Sequence, residues 1–212
     1  MIFILLFRII IIGDNIELIK RDLTCKNMLK PLQGNFKGLI LISGPTNSGK
    51  SKLAEFLIKD QESITYIATS KPRKNDPEWQ KRINNHIKRR PTKWKLIEYP
   101  QNICKLIKCF DKNESILIDS LGGLVEQYLI HDDDQWNIFQ NEFVSSLLNN
   151  DTGFIIVAEE IGWGIVPATP IGHLFRERLS KFLQLLNSHA SKKWLAINGI
   201  AIDLDNIGCT IP

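Results

Sequence analysis

The sequence contains little sulfur. Its cysteines, Cys25, Cys104, Cys109 and Cys209, are scattered, with no Cys-x-x-Cys pair and no histidine at metal-ligand spacing. This scatter argues against a disulfide scaffold and against a structural zinc site, and it favours reduced thiols in a cytoplasmic protein.

The sequence also lacks a strong charge of one sign. It holds 27 Lys and Arg against 23 Asp and Glu, a formal charge of +4 at pH 7, and it has no long basic tract. Because surfaces that bind nucleic acid carry basic patches with interleaved aromatic residues, nucleic acid is not expected as a partner. The small positive balance is compatible with ligands that carry phosphate.

No hydrophobic run is long enough to cross a bilayer. The apolar stretch at residues 1–12 is interrupted by Arg8, and no small-residue cleavage site follows it. We therefore expect no stable membrane insertion, with a targeting role for this stretch as an alternative. The interpretation we prefer is that residues 1–37 are a leader outside the fold, with Met28 as an alternative start and residues 31–38 as the boundary.

One complete motif is present. Residues 44–51 have the spacing Gly-x-x-x-x-Gly-Lys-Ser and directly follow the apolar run at residues 39–42. In a phosphate-binding loop of this kind, backbone N–H groups surround a polyphosphate, the lysine reaches the β- and γ-phosphates, and the serine hydroxyl binds magnesium. The motif predicts binding of a nucleoside triphosphate with Mg²⁺ by Gly44, Pro45, Thr46, Asn47, Ser48, Gly49, Lys50 and Ser51.

From residue 38 onward, short β-branched runs alternate with segments of helical periodicity. Strands are predicted near 39–43, 64–68, 94–98, 115–119, 153–158 and 194–198, and helices near 50–60, 77–89, 101–110, 122–130, 136–149 and 170–190. Such alternation is typical of a mostly parallel sheet with helices on both faces. The predicted fold class is α/β, similar to P-loop NTPases, in one domain over residues 38–212.

Polar residues follow two of the predicted strands. Asp119 ends the strand at 115–119, where P-loop proteins place a magnesium-binding carboxylate, so we expect Asp119 and Ser51 to hold one Mg²⁺ together. The alternative is that Asp119 caps the next turn. Thr69, Ser70 and Lys71 follow the strand at 64–68 and should face the same edge, either as nucleotide contacts or as an ordinary polar loop.

His86 is the candidate nucleophile. It lies in the helix predicted at 77–89, close to Arg82, Arg89 and Arg90. Like-charge repulsion from these guanidinium groups should depress the pKa of His86 and keep its imidazole neutral near pH 7. The same arginines could neutralise phosphate charge during transfer. A solvated or packed histidine without a chemical role is the alternative.

The other histidines have ordinary explanations. His131 precedes three aspartates at 132–134 and resembles a metal cluster on paper, but consecutive residues point in different directions, which favours a solvated loop. His173 and His189 lie on the helix predicted at 170–190, where an exposed face is expected.

Several further stretches resemble a known family when they are taken with the phosphate-binding loop. They are Tyr66-Ile67-Ala68-Thr69-Ser70, Arg82-Ile83 with His86, Arg90-Pro91 with Trp94, Glu-Ile-Gly-Trp-Gly-Ile-Val-Pro at 160–167, and Phe175-Arg176-Glu177 with Gln184. In this order, over about residues 39–203, they resemble the bifunctional adenosylcobinamide kinase and adenosylcobinamide-phosphate guanylyltransferase of cobalamin biosynthesis. The stretch at 160–167 is the most specific.

The resemblance implies two reactions in one subunit. In the first, the γ-phosphate of ATP or GTP moves to the hydroxyl of the aminopropanol arm of adenosylcobinamide. In the second, a histidine attacks the α-phosphate of GTP, pyrophosphate leaves, and GMP passes to the new phosphate. By position, His86 matches the guanylylated histidine and Asp119 a site held by Asp or Glu. The positions that match nucleotide contacts are Thr69, Ser70, Lys71, Arg90, Pro91, Thr92, Lys93 and Glu98.

The resemblance also implies a trimer, which the sequence pattern does not show. The chain departs from the family at Asn85, where members often have a second histidine, and this leaves His86 as the nucleophile. Leu183 stands at a common asparagine position and His173 at a common arginine position, which bears on substrate affinity.

Two other hypotheses stay open at this point. One is a kinase that has lost guanylyl transfer, and the other is a non-catalytic nucleotide-binding module. The Asn/Thr-Lys-x-Asp guanine signature of regulatory GTPases is absent from the sequence, which argues against that class.

Overall fold

The computed structural model describes residues 10–12, 15–17, 29–73, 75–164 and 166–211, without the side chains of residues 10–12, 15–17, 82 and 85. The predictions made above for the side chains of Arg82 and Asn85, and for Arg8, Cys25, Met28 and Ile165, fall outside the described part. The chain divides into two units, Met1–Lys30 and Pro31–Pro212.

In the first unit, the described residues form a short antiparallel hairpin in which β1 (Ile10–Ile12) pairs with β2 (Asn15–Glu17). The second unit begins at Pro31, before the predicted start at residue 38. Leu32 N donates to Leu57 O at 2.8 Å, and Gln61 Nε2 donates to Leu32 O at 2.9 Å. The residues from Pro31 onward are therefore part of the second unit. The role of the segment before Pro31 as a leader stays a prediction.

Seven strands of the second unit form one sheet. In chain order they are β3 (Gly38–Gly44), β4 (Ser63–Ala68), β5 (Lys95–Glu98), β6 (Glu114–Asp119), β7 (Gly153–Glu159), β8 (Lys192–Ile197) and β9 (Ile200–Asp203). Their order across the sheet is β5-β4-β6-β7-β3-β8-β9, and every neighbouring pair is parallel except β8 with β9. The predicted mostly parallel α/β sheet is confirmed.

β9 is the strand of this sheet that was not predicted from the sequence. It follows β8 through Asn198 and Gly199, which have φ of 50° and 79°, and Ile197 pairs with Ile200. A two-residue Asn-Gly connection with positive φ at both positions is a strong hairpin signal, because its twist matches that of the strands it joins. The signal was therefore present in the sequence, and it adds an antiparallel edge to a parallel sheet.

Six helices of the described residues lie close to their predicted positions. They are α1 (Lys50–Ile58), α2 (Pro77–Arg89), α3 (Ile103–Ile107), α4 (Leu121–Gln127), α5 (Asp133–Leu148) and α6 (Pro170–His189). A short α7 (Leu204–Ile207) was not predicted. The side chains of Asp76, Asn102, Asp132 and Thr169 each accept a hydrogen bond from a backbone N–H in the first turn of α2, α3, α5 and α6. Among the described residues, no helix is both long and apolar enough to cross a membrane.

The core lies on both faces of the sheet. Leu39 and Leu41 of β3 pack into a cluster with α3, α4, α5 and α6, in which Phe143 and Phe182 meet edge to face with their ring centroids 5.5 Å apart. Because side chains alternate along a strand, Ile40 and Ile42 point to the opposite face. They are also buried, which explains why the central strands are continuous apolar runs and not alternating ones.

The strand order brings three strand ends together. The chain leaves β3 through α1 and crosses to β4, and β6 and β7 later fill the space between β4 and β3. As a result Gly44 pairs with Glu159, and Asp119 pairs with Val157 in the middle of the sheet. In open parallel sheets, ligands bind beyond the carboxyl ends of strands at such a crossover.

Candidate active site

The loop between β3 and α1 has backbone geometry that requires glycine. A Cβ on Gly44 would collide with the Ala196 carbonyl oxygen and would lie 2.7 Å from Ser48 Oγ. Gly49 has φ of 101° and precedes α1, whose first turn has no side-chain cap. Lys50 Nζ donates to Pro45 O at 3.1 Å across the loop. The uncapped N–H groups at the start of α1 make the loop an anion-binding site.

One cleft of about 380 Å³ unites this loop with residues from three other parts of the chain. It is lined by Thr46, Asn47, Ser48, Gly49, Lys50, Ser51, Lys52, His86, Arg89, Asp119 and Glu159. Six of the eight predicted phosphate-binding residues (residues 46–51), the predicted nucleophile and the predicted magnesium carboxylate therefore lie around one space within a single subunit. Lys52 and Glu159 were not predicted.

Ser51 and Asp119 fit a magnesium ion in their chemistry, since a hydroxyl and a carboxylate supply the oxygen ligands that Mg²⁺ prefers. Among the described residues, no group of three or more His, Cys, Asp or Glu could hold a metal ion by itself. Mg²⁺ sites commonly use one or two protein ligands and complete the coordination with water and substrate phosphates. Asp132 caps α5 and Asp133 pairs with Arg178, so two of the aspartates after His131 have structural partners.

Tyr66 positions Asp119 through a hydrogen bond. Its hydroxyl donates to Asp119 Oδ2 at 2.7 Å, and the ring is buried in β4. Burial raises the pKa of Tyr66 well above its usual value, and the neighbouring Asp119 carboxylate raises it further. Arg90 lies over the same ring, with its guanidinium carbon 4.2 Å from the centroid, and Arg90 Nε donates to His86 O at 3.4 Å. Tyr66 and Arg90 thus connect the end of α2 to the carboxylate.

Arg89 joins His86 to α1. Its Nε and Nη2 donate to the two carboxylate oxygens of Glu55 at 2.6 and 2.7 Å, and its Nη2 lies 3.3 Å from His86 Nδ1. The hydrogen bonds to Glu55 are the first cause of a raised pKa of Arg89. Because a guanidinium group can only donate, Nδ1 of His86 is the acceptor in this contact.

Glu55 was missed by the sequence analysis because it reads as one polar position on an amphipathic helix. Its position four residues after Ser51 was the available signal, since residues at this spacing share a helix face.

Glu159 is the second residue that was missed. It ends β7, its Oε1 accepts a hydrogen bond from the Ser120 hydroxyl, and its Oε2 accepts one from Gly122 N at 3.0 Å. The carboxylate therefore lies at the start of α4, where the helix dipole favours negative charge, and at the same time lines the cleft. A carboxylate directly after a buried strand was the same signal that identified Asp119.

The structure does not bring every predicted contact residue into the cleft. Thr69 is fully buried, and its Oγ1 donates to Ser120 O at 2.5 Å and accepts from Ser120 N at 2.8 Å, so its side chain supports the segment after β6 instead of facing a ligand. Ser70 is half-buried next to it. Gly44, Pro45 and Arg90 also lie outside the cleft lining. So do five exposed residues: Lys71, Pro91, Thr92, Lys93 and Glu98.

The segment around Trp163 adjoins the phosphate-binding loop. Glu160 N donates to Gly44 O at 2.9 Å, and Gly162 N donates to Glu160 Oε1 at 2.8 Å. Trp163 is 59% exposed, and Val166 is exposed to the same degree. The segment thus places apolar side chains in solvent beside a polar cleft.

Sequence comparisons with known proteins agree on one family. The sequence profile described as cobinamide kinase / cobinamide phosphate guanyltransferase matches residues 40–204. The bifunctional adenosylcobalamin biosynthesis protein CobU of Escherichia coli K12 is 30% identical over 181 residues, which are 78% of this chain and 99% of that protein. The corresponding CobP of Pseudomonas aeruginosa is 28% identical, over 77% of this chain and 95% of that protein. A solved structure from Pyrococcus horikoshii OT3 aligns with a TM-score of 0.49 at 9% identity, over 84% of this chain and 93% of that chain.

Proposed function

The chain belongs to the cobinamide kinase / cobinamide phosphate guanyltransferase family, and from this we propose that it performs both transfers in the cleft described above. Its substrates would be a nucleoside triphosphate and the corrinoid, first adenosylcobinamide and then its phosphate. The observation that carries the proposal is that His86 and the phosphate-binding loop line the same cleft.

In the kinase step, the protein has to bind and orient the triphosphate of ATP or GTP. The N–H groups of the loop and Lys50 would hold the β- and γ-phosphates, and Ser51 and Asp119 would hold Mg²⁺, which neutralises phosphate charge when it is bound. The corrinoid hydroxyl oxygen forms a bond to the γ-phosphorus and releases its proton to water. The bond from that phosphorus to the β-phosphate oxygen breaks, with its electron pair staying on the nucleoside diphosphate. This step depends on position and charge, and it does not require His86.

In the guanylyl step, His86 acts as the nucleophile. Because Nδ1 is the acceptor in the contact with Arg89, Nδ1 carries the lone pair of the neutral imidazole. This lone pair forms a bond to the α-phosphorus of GTP while the Arg89 N–H moves from Nδ1 to an oxygen of that phosphate, and the bond to the pyrophosphate oxygen breaks with its electron pair staying on pyrophosphate. A phosphate oxygen of the corrinoid then attacks the same phosphorus, the nitrogen–phosphorus bond breaks, and a phosphoanhydride to GMP results. The Arg89 guanidinium, which touches His86, would stabilise negative charge on the phosphorus in both half-reactions.

A mass spectrum of the intact protein after incubation with GTP and Mg²⁺ tests the proposal. We expect an adduct of about 345 Da, the mass of a GMP group joined through a phosphoramidate, on the peptide that contains His86. His86→Ala should abolish the adduct while the variant still phosphorylates cobinamide. His189→Ala, which changes an exposed histidine at the end of α6, should form the adduct like the wild type.

The alternatives give different results in the same experiment. A kinase without the second activity would phosphorylate cobinamide but form no adduct, and a binding module would do neither. Chelation of Mg²⁺ should suppress both steps, because the triphosphate charge would no longer be neutralised. The trimeric assembly and the cytoplasmic location stay predictions.

A further inference from the structure

A continuous chain of polar contacts leads from the phosphate-binding helix to the imidazole of His86. Glu55 of α1 accepts two hydrogen bonds from Arg89 of α2, and Arg89 reaches His86 Nδ1. Arg89 and His86 are three residues apart and are neighbours on one helix face, whereas Glu55 comes from a different helix. The hydrogen-bonded ion pair between Glu55 and Arg89 therefore fixes this face of α2 relative to α1.

The pair of Glu55 and Arg89 is well placed to act as a rigid link. The side chain of Glu55 is 10% exposed and that of Arg89 is 31% exposed, so both are partly shielded from water. Two parallel hydrogen bonds between a planar guanidinium and a carboxylate fix direction as well as distance. A single exposed ion pair would leave Arg89 free to choose among several rotamers.

Glu55 also stands in a fixed relation to the nucleotide. It lies four residues after Ser51 on α1, so it occupies the same helix face one turn away from the phosphate-binding loop. The contacts from Glu55 through Arg89 to His86 therefore fix the position of the imidazole relative to the loop that would hold the triphosphate.

We propose that Glu55 is a positioning residue for His86. Glu55 fixes Arg89, and Arg89 in turn holds the imidazole at the α-phosphate of the bound nucleotide. The inference rests on the proposed guanylyl transfer and deepens it. It assigns to Glu55 a role in orienting the imidazole and not in nucleotide affinity, and it gives Arg89 this role besides the charge stabilisation described above. Orientation matters because a nucleophile displaced by about 1 Å can lose about 100-fold in rate.

Glu55→Gln tests the proposal, because the amide keeps the shape of the carboxylate but cannot accept two charge-assisted hydrogen bonds. We expect the rate of adduct formation on His86 at saturating GTP to fall about 10- to 100-fold, with the KM for GTP changed by less than about twofold. Kinase turnover of the same preparation should fall by a much smaller factor. A residue with a merely structural role would lower both rates together.

Two further variants make the test specific. Arg89→Lys keeps the charge but loses the planar guanidinium with its two parallel donors, so it should lower the adduct rate to a similar extent. The double variant should be no slower than the slower of the two single variants. Glu142→Gln is the matched control, because it breaks the 2.8 Å ion pair with Lys108 outside the cleft, and it should leave both rates unchanged.

The possible outcomes are distinguishable. An adduct rate equal to that of the wild type in Glu55→Gln overturns the inference, and so does a loss that arises only from a raised KM for GTP, since Arg89 would then serve to bind nucleotide. Additive losses in the double variant also overturn it. If Glu55→Gln does not fold, Arg89→Lys carries the same test. A wild type that forms no adduct overturns the proposed function, and this inference with it.

Discussion

At the scale of single residues, Arg89 and Arg90 show how two adjacent cations take different partners. Arg89 is the last residue of α2 and turns to Glu55 and His86, whereas Arg90 caps the helix in an extended conformation and lies over the ring of Tyr66. Consecutive side chains diverge, so the two guanidinium groups reach different partners, and of the two it is Arg89 that lines the cleft. Arg90 thereby supports the Tyr66 hydroxyl that donates to Asp119.

The raised pKa of Tyr66 predicts a pH dependence of stability. Above about pH 10 the unfolded chain loses the phenol proton while the folded protein keeps it, so the unfolded state binds fewer protons and is favoured. The contribution of Tyr66 is fully present below pH 10 and is lost as the pH rises toward its folded-state pKa, by about 1.4 kcal/mol per pH unit.

Chemical denaturation of the wild type and Tyr66→Phe at pH 9, 10 and 11 measures this effect. The free energy of unfolding of the wild type should fall more steeply with pH than that of the variant. The difference between the two slopes isolates Tyr66 from other groups whose pKa burial raises, such as Tyr128 and Cys104. Parallel curves would contradict the assignment.

At the scale of elements, the start of α4 lies unusually close to the ends of β4 and β7. Gly122 N donates to Glu159, and a Cβ on Gly122 would lie 2.6 Å from Glu159 Oε2. A Cβ on Gly123 would collide with Thr69 Oγ1 and would lie 2.7 Å from Ser70 N. The two glycines therefore allow the helix to reach the sheet edge at which Asp119 and Glu159 meet the cleft.

Gly123→Ala should destabilise the protein although alanine is the better helix former. The intrinsic gain in helix propensity is about 1 kcal/mol, but here the new methyl group meets backbone that has no room to move, and overpacking of this kind costs about 1–3 kcal/mol. We expect a net decrease in the free energy of unfolding, measured by thermal or chemical denaturation. Gly164→Ala is the control, because its Cβ would come no closer than 3.7 Å to another atom, and it should change stability by less than about 0.5 kcal/mol. Equal stabilities for the two variants would disprove the close approach.

At the scale of the whole molecule, the unit Pro31–Pro212 holds the entire candidate active site. Two of the first residues of this unit contact the rest of it. The backbone of Leu32 forms hydrogen bonds with Leu57 and with the side chain of Gln61, and Phe36 packs against Gly153 at the start of β7. Gly38 pairs with Gly153 in the sheet, so Phe36 closes the amino-terminal edge of the two central strands. The short segment before β3 is thus part of the packing of this unit.

Two truncated proteins test the extent of this unit. A chain that begins at Pro31 keeps the described contacts within this unit and serves as the reference. A chain that begins at Gly38 loses the hydrogen bond from Leu32 N to Leu57 O, the one from the Gln61 side chain to Leu32 O, and the packing of Phe36. It should be less stable by about 1–3 kcal/mol. Equal stability of the two truncated chains would show that residues 31–37 contribute nothing.

Much of the architecture could be predicted from local patterns. Strands and helices depend on the spacing of apolar residues within short windows, and the phosphate-binding loop is itself a contiguous motif, so their positions agree with the structure to within a few residues. Asp119 could be placed because the carboxyl ends of parallel strands share an edge. The hairpin at Asn198 and Gly199 belongs to the same class of local signals, although it was not recognised.

The order of the strands and the partners of polar side chains were decided only by the tertiary structure. β7 lies between β6 and β3, and this alone brings Glu159 beside the loop that begins at Gly44. Glu55 and Arg89 are separated by 34 positions, and no periodicity within a short window relates them. Sequence patterns report which face of an element is apolar, whereas the partner across a cleft depends on how those faces pack, and packing involves the whole chain at once.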